Sequence, residues 1–217
     1  MTEEAAKWAV ESWALALGII VTREKPLTRH FIWICDRSGG MAKYGRIQAL
    51  NTAICEVIPL MQKEAEEYPF VRVLVRAIKF SNGAQWHIAQ PTPVEDFKWV
   101  DLTPNGTGRD MGKALSMVAE QLKILAITKS MLPPVLVLIS YREPTDDFKS
   151  GLRKLMEQPW GRKSVRVAIA LGQNADCEVL QKFIGHPELK PLNGSEIEKV
   201  VQCYLFYGLP DFVFPIS

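Results

Sequence analysis

At 217 residues with 47% hydrophobic content, the chain is long enough to bury a sizeable core as one domain, and its composition excludes a disordered protein. The formal charge of +2, from 26 basic and 24 acidic residues, gives no nucleic-acid footprint, since no segment collects more than two adjacent basic residues. Cys35, Cys55, Cys177 and Cys203 form no C-x-x-C pair. Cys35 and Cys55 sit in apolar settings typical of buried free thiols, so a reducing, cytoplasmic compartment is expected.

The first apolar stretch, "WAVESWALALGIIV" (8–21), resembles a signal sequence only superficially. Its flank "MTEEAAK" is acidic, Glu11 interrupts it, and a membrane span needs about 18 uninterrupted apolar residues. Ala5, Trp8, Ala9, Ser12, Trp13, Ala16 and Leu17 fall near one face at helical spacing, which predicts a helix packed on the domain. A partner-binding helix presenting Trp8 and Trp13 is the alternative.

"HFIWIC" (30–35) is a buried strand by its continuous apolar run, and 44–67 repeats Ile47, Leu50, Ile54, Ile58, Met61 and Ala65 at helical spacing. "FVRVLVRAIKF" (70–80) alternates, and "AQWHIAQPTPV" (84–94), with two prolines after "SNG", reads as its antiparallel edge partner. A helix over 109–125 carries Met111, Leu115, Val118, Leu122 and Leu125 on one face, followed by a second apolar strand over 133–140. The segment 144–158 is a helix N-capped by Thr145 or Asp146, 164–171 is a strand, and 177–185 is a helix closed by a glycine. A last helix over 195–206 begins at Ser195 with an imperfect capping box. Apolar strands alternating with amphipathic helices predict an α/β fold: a doubly wound, mostly parallel sheet with one antiparallel edge strand and helices on both faces. Binding crevices in such sheets lie at the carboxyl ends of the strands, which singles out the loops "DRSGGM", "NGTGRD" and "SYREPTDD".

Several chemistries fail on spacing. "GTGRDMGKA" places glycines at 106, 108 and 112 before Lys113 and Ala114, which is neither a P-loop nor, with Met111 at the third position, a dinucleotide motif. His30, His87 and His186 have no ligand-type residue at metal spacing, and no hydrolase signature supplies a nucleophile with its base.

The three loops together resemble the von Willebrand factor A domain over residues 28–206, with 1–27 as an N-terminal helical extension and 28–217 as the A-type domain. In that family the first loop reads Asp-x-Ser-x-Ser, the second supplies a threonine and the loop after the fourth strand an aspartate. Together they form a metal-ion-dependent adhesion site (MIDAS) that holds Mg²⁺ and leaves a position open for a partner's acidic side chain. Asp36, Ser38 and Thr107 match, whereas Gly40 replaces the second serine and Tyr141-Arg142 replaces Asp-Gly. The phrases "LISYREPTDDFKSGLRKLMEQPWGRKSVRVAIALGQNAD" and "HPELKPLNGSE" look closest to bacterial cytoplasmic A domains of the TerY type, associated with tellurite resistance and with gene sets holding a kinase and a PP2C-type phosphatase.

The resemblance implies a non-catalytic adaptor that binds another protein, neither nucleic acid nor membrane, through a degenerate metal site rimmed by Asp36, Ser38, Gly40, Thr107, Tyr141 and Arg142. No cofactor is expected. A weak Mg²⁺ held by Asp36, Ser38 and Thr107 is the alternative, and an α/β enzyme is the remote one. Without a metal, Asp36 requires a partner, for which Tyr141, Ser38, Arg37 and Arg142 are the candidates. Nothing in the sequence assigns the oligomeric state.

Overall fold

The computed structural model describes residues 26–125, 131–172 and 175–205. Trp8 and Trp13, and with them the N-terminal helix, lie outside the described residues. Six strands form one sheet in the order β3-β2-β1-β4-β5-β6: β1 Leu27–Asp36, β2 Val71–Ser81, β3 Gly83–Pro93, β4 Val135–Ser140, β5 Val165–Ala170 and β6 Leu192–Asn193. All neighbours are parallel except β2 and β3, whose pairing closes at Ser81–Gly83. This is the expected fold class, and the proline-bearing strand is indeed the antiparallel edge.

The strands are apolar on both sides because both faces are covered. In β1, Phe31, Trp33 and Cys35 join the core beneath α1 (Arg46–Glu66), together with Val200, Val201 and Leu205 of the C-terminal turns. Ile32 and Ile34 instead meet α2 (Met111–Leu125), α3 (Phe148–Glu157) and α5 (Cys177–Ile184). A short helix, α4 (Pro159–Lys163), follows α3.

Several local expectations need correction. Strand β1 begins at Leu27, so Arg29 and His30 are buried within the sheet. Cys35 is buried but Cys55 is exposed, because the buried face of α1 passes through Leu50, Ile54, Val57 and Ile58 and leaves residue 55 on the outside. Helix α3 is capped by Asp147, whose carboxylate accepts from Ser150 N at 2.9 Å, rather than by Thr145 or Asp146. The continuous helix expected over 195–206 is replaced by a 3₁₀ turn (Gly194–Glu196), one α-turn (Glu198–Val200) and a π-turn (Val201–Leu205). Its capping box is made by Asn193 and Glu196.

Candidate functional site

Strand order reverses at β1: the chain moves from β1 to β2 on one side and later returns to β4 on the other. The loops leaving the carboxyl ends of β1 and β4 therefore diverge and open a crevice. Asp36, the last residue of β1, is fully buried there. Its Oδ1 accepts from Ser38 N at 2.8 Å and its Oδ2 from the Ser140 hydroxyl at 2.9 Å. Burial raises the Asp36 pKa above the ordinary carboxylate range, against the lowering effect of these hydrogen bonds and of the Arg109 charge. The Ser38 hydroxyl is buried with no hydrogen bond of good geometry.

The second loop is clamped onto the first. Asn105 N donates to Arg37 O and Gly39 N donates to Gly106 O, both at 2.7 Å. Asn82, in the β2–β3 turn, accepts from Thr107 N and Gly108 N and so fixes the crest of that loop. Thr107 is thereby held beside the Asp36 loop, with its side chain exposed.

The third loop fills the centre. Tyr141 is only 5% exposed, and a Cβ built on Gly40 would lie 1.7 Å from its Oη and 2.4 Å from its Cζ. The phenol thus occupies the space that any side chain at position 40 requires. Two guanidinium groups approach the Tyr141 ring, Arg46 at 4.6 Å and Arg109 at 5.8 Å from its centroid, both within cation–π range. Arg46 also donates from Nη1 to Gly40 O at 3.1 Å, and Arg109 donates from Nε to Glu143 O at 2.8 Å.

The structure therefore brings Asp36, Ser38, Gly40 and Tyr141 together at the switch point, with Thr107 on the adjoining loop. Arg142 stands apart: its half-exposed side chain faces Glu143 at 3.6 Å. Of the candidates for satisfying Asp36, only Ser38 does so, through its backbone N–H. The other partner is Ser140, which the sequence reading missed although it ends the apolar run "VLVLIS". Arg46 was missed as well, because it lies 95 positions from Tyr141 and only the fold brings it there, and Arg109, though in the second named loop, carried no signal of its contact with the Tyr141 ring. Among the described residues no cluster of three or more His, Cys, Asp or Glu side chains has a metal-holding arrangement. No helix among them is long and apolar enough to cross a membrane.

No family model matches the sequence, and no curated protein matches it. Solved structures do match its fold. The ArnB paralog VWA2 from Sulfolobus acidocaldarius aligns with a TM-score of 0.57 at 16% identity over 81% of this chain and 44% of that one. Proximal thread matrix protein 1 from the mussel byssus aligns with a TM-score of 0.58 at 14% identity over 82% of this chain and 47% of that one. A second structure of the mussel protein, with zinc in its MIDAS motif, aligns with a TM-score of 0.57 at 13% identity over 82% and 47%. The chain spans less than half the length of each of these proteins. At these identities the likeness establishes the fold alone, and that fold is the von Willebrand factor A fold.

Proposed function

We propose that this chain is a non-catalytic protein–protein interaction module of the A-domain type, an adaptor whose adhesion site no longer uses a metal. The observation that carries this reading is the exchange at positions 40 and 141. Gly40 supplies no hydroxyl, Tyr141 supplies no carboxylate, and the phenol fills the space between them under two guanidinium groups. A divalent ion in such a site wants about six oxygen ligands and negative charge. These residues do not fit one: the oxygen count is reduced, Asp36 is engaged by Ser38 and Ser140, and the added charges are positive. Resemblance to TerY-type domains points to bacterial, cytoplasmic, kinase- and phosphatase-linked or stress-defence signalling.

A second reading, a weak Mg²⁺-dependent binder of acidic side chains through Asp36, Ser38 and Thr107, is favoured by the buried Ser38 hydroxyl, which lies by Asp36 and makes no hydrogen bond of good geometry. Thermal unfolding with and without Mg²⁺ separates the two. A site with Kd above ~10 mM gains less than ~0.1 kcal/mol at about 1 mM ion, so the midpoint should not move measurably. A clear rise that chelator reverses favours the second reading.

A further inference from the structure

A cavity of about 500 Å³ opens beside the crevice, between the start of α1 and the loops that follow β5 and β6. Leu171 and Ala49 provide apolar wall, and Gly172 and Gly194 keep it open. A Cβ at Gly172 would lie 3.3 Å from Arg46 Nε, and one at Gly194 would lie 3.1 Å from Leu171 Cδ2. Arg46 is the cation of this cavity and is held rigidly. Its guanidinium lies 4.6 Å from the Tyr141 ring centroid and 5.0 Å from that of Tyr44, with Nη1 tied to Gly40 O. It makes no ion pair with a described carboxylate, its Nε is buried without a partner, and no acidic residue is among the described residues lining the cavity.

Tyr44 adds an independent sign. It is the only non-glycine residue with a left-handed backbone among the described residues, at φ +57°, yet the residue is 88% exposed. That conformation costs on the order of 1 kcal/mol, and so exposed a residue gains almost no burial to offset it. What the strained turn achieves is to set the ring against Arg46 at the cavity mouth.

We propose that this cavity captures an acidic segment of a partner protein. In it, an Asp or Glu carboxylate is gripped by the Arg46 guanidinium between Tyr44 and Tyr141, and a neighbouring apolar side chain rests on Leu171. The fixed cation does without metal what a divalent ion would otherwise do, offering a carboxylate charge-assisted hydrogen bonds from the Nη2 end of the guanidinium, since Nη1 is tied to Gly40 O and Nε is buried. The proposal rests on the reading of the chain as a metal-independent interaction module and names the chemistry of its partner.

The test is an NMR titration of the full chain in EDTA, with acetyl-Gly-Phe-Glu-Gly-amide and its Gln and phosphoserine counterparts as probes. The Glu peptide should give saturable shifts at the Arg46 Nε–H and the Tyr44 ring, at least tenfold tighter than the Gln peptide. Arg46→Lys should weaken it about tenfold. Tyr44→Ala, at an exposed position, should weaken it severalfold without lowering the unfolding midpoint. Equal binding of Glu and Gln peptides, silence at Arg46, or binding of the phosphoserine peptide alone overturns the proposal while leaving the metal-free reading intact. Binding of the Glu peptide only with Mg²⁺ restored overturns both.

Discussion

Tyr141 and Gly40 are one feature seen from two loops, since a phenol can lie where it does only because position 40 carries no side chain. The buried Asp36 keeps its hydrogen bonds to Ser38 N and Ser140, so the carboxylate remains satisfied without an ion. A second buried titratable residue, His30, gives a pH dependence of definite sign. Burial, and then the nearby Arg76 charge, lower its pKa to about 4, and its Nδ1 has no partner. A folded-state pKa below the unfolded value means that the unfolded chain takes up the proton first. The contribution of His30 to stability is therefore intact above about pH 6.5 and is lost as pH falls towards about 4. Asp36 has the opposite sign, because its raised pKa favours the folded state as pH falls. The raw curve mixes the two, so the comparison is with His30→Leu. Between pH 7 and 4 the parent should lose about 3 kcal/mol more than the variant in denaturant unfolding, and parallel curves would show that His30 is not desolvated.

At the scale of elements, the segment "PTDD" shows why some of the fold was legible and some was not. Its polar residues mark a helix start, as read from the sequence, but each serves a different place. Thr145 accepts from Arg109 N, Asp146 accepts from Gly112 N and Lys113 N at 2.9 and 2.8 Å, and only Asp147 caps its own helix. Asp146 thus caps α2, 34 residues away in sequence from Gly112, and no local pattern reveals such a cap. Strands and long helices were legible because their periodicity is local. The start of α1 was misplaced at residue 44 because Tyr44 and Gly45 both turn left-handed before the helix begins at Arg46. The same distant cap locks α2 against α3, which touch through backbone. A Cβ on Gly151 would lie 2.2 Å from Gly112 O and 2.6 Å from Gly112 Cα. Gly151→Ala should therefore destabilise the domain by about 2 kcal/mol despite its better helix propensity, measured by urea unfolding. A stabilised variant would mean the helices do not cross so closely.

At the scale of the whole molecule, the sheet order fixes where a site can be, and side chains decide what it does. The loops named from the sequence do meet, at the reversal between β1 and β4, because Asn105 and Gly106 tie the second loop to the first and Asn82 ties it to the β2–β3 turn. The chemistry at the centre was only half legible: Asp36, Ser38, Gly40 and Tyr141 stand in the sequence, Ser140 and Arg109 lie in the named loops without a role that spacing reveals, and Arg46 reaches the site only through tertiary packing. Arg142, half exposed and facing Glu143, has no part in filling it. In the proposed reading, Tyr141 stands in the place of a metal ion on a scaffold that persists. The most direct test of that reading is isothermal titration calorimetry with Mn²⁺ on the parent and on Gly40→Ser/Tyr141→Asp. The double variant removes the phenol, restores one hydroxyl and one carboxylate, and should bind with Kd below ~1 mM where the parent gives no heat, a gain of about a hundredfold or roughly 3 kcal/mol. Gly40→Ser alone should bind nothing and lose stability, because its side chain meets Tyr141. A double variant that folds as the parent does and still gives no heat, or a parent that already binds Mn²⁺ below ~1 mM, would contradict the account.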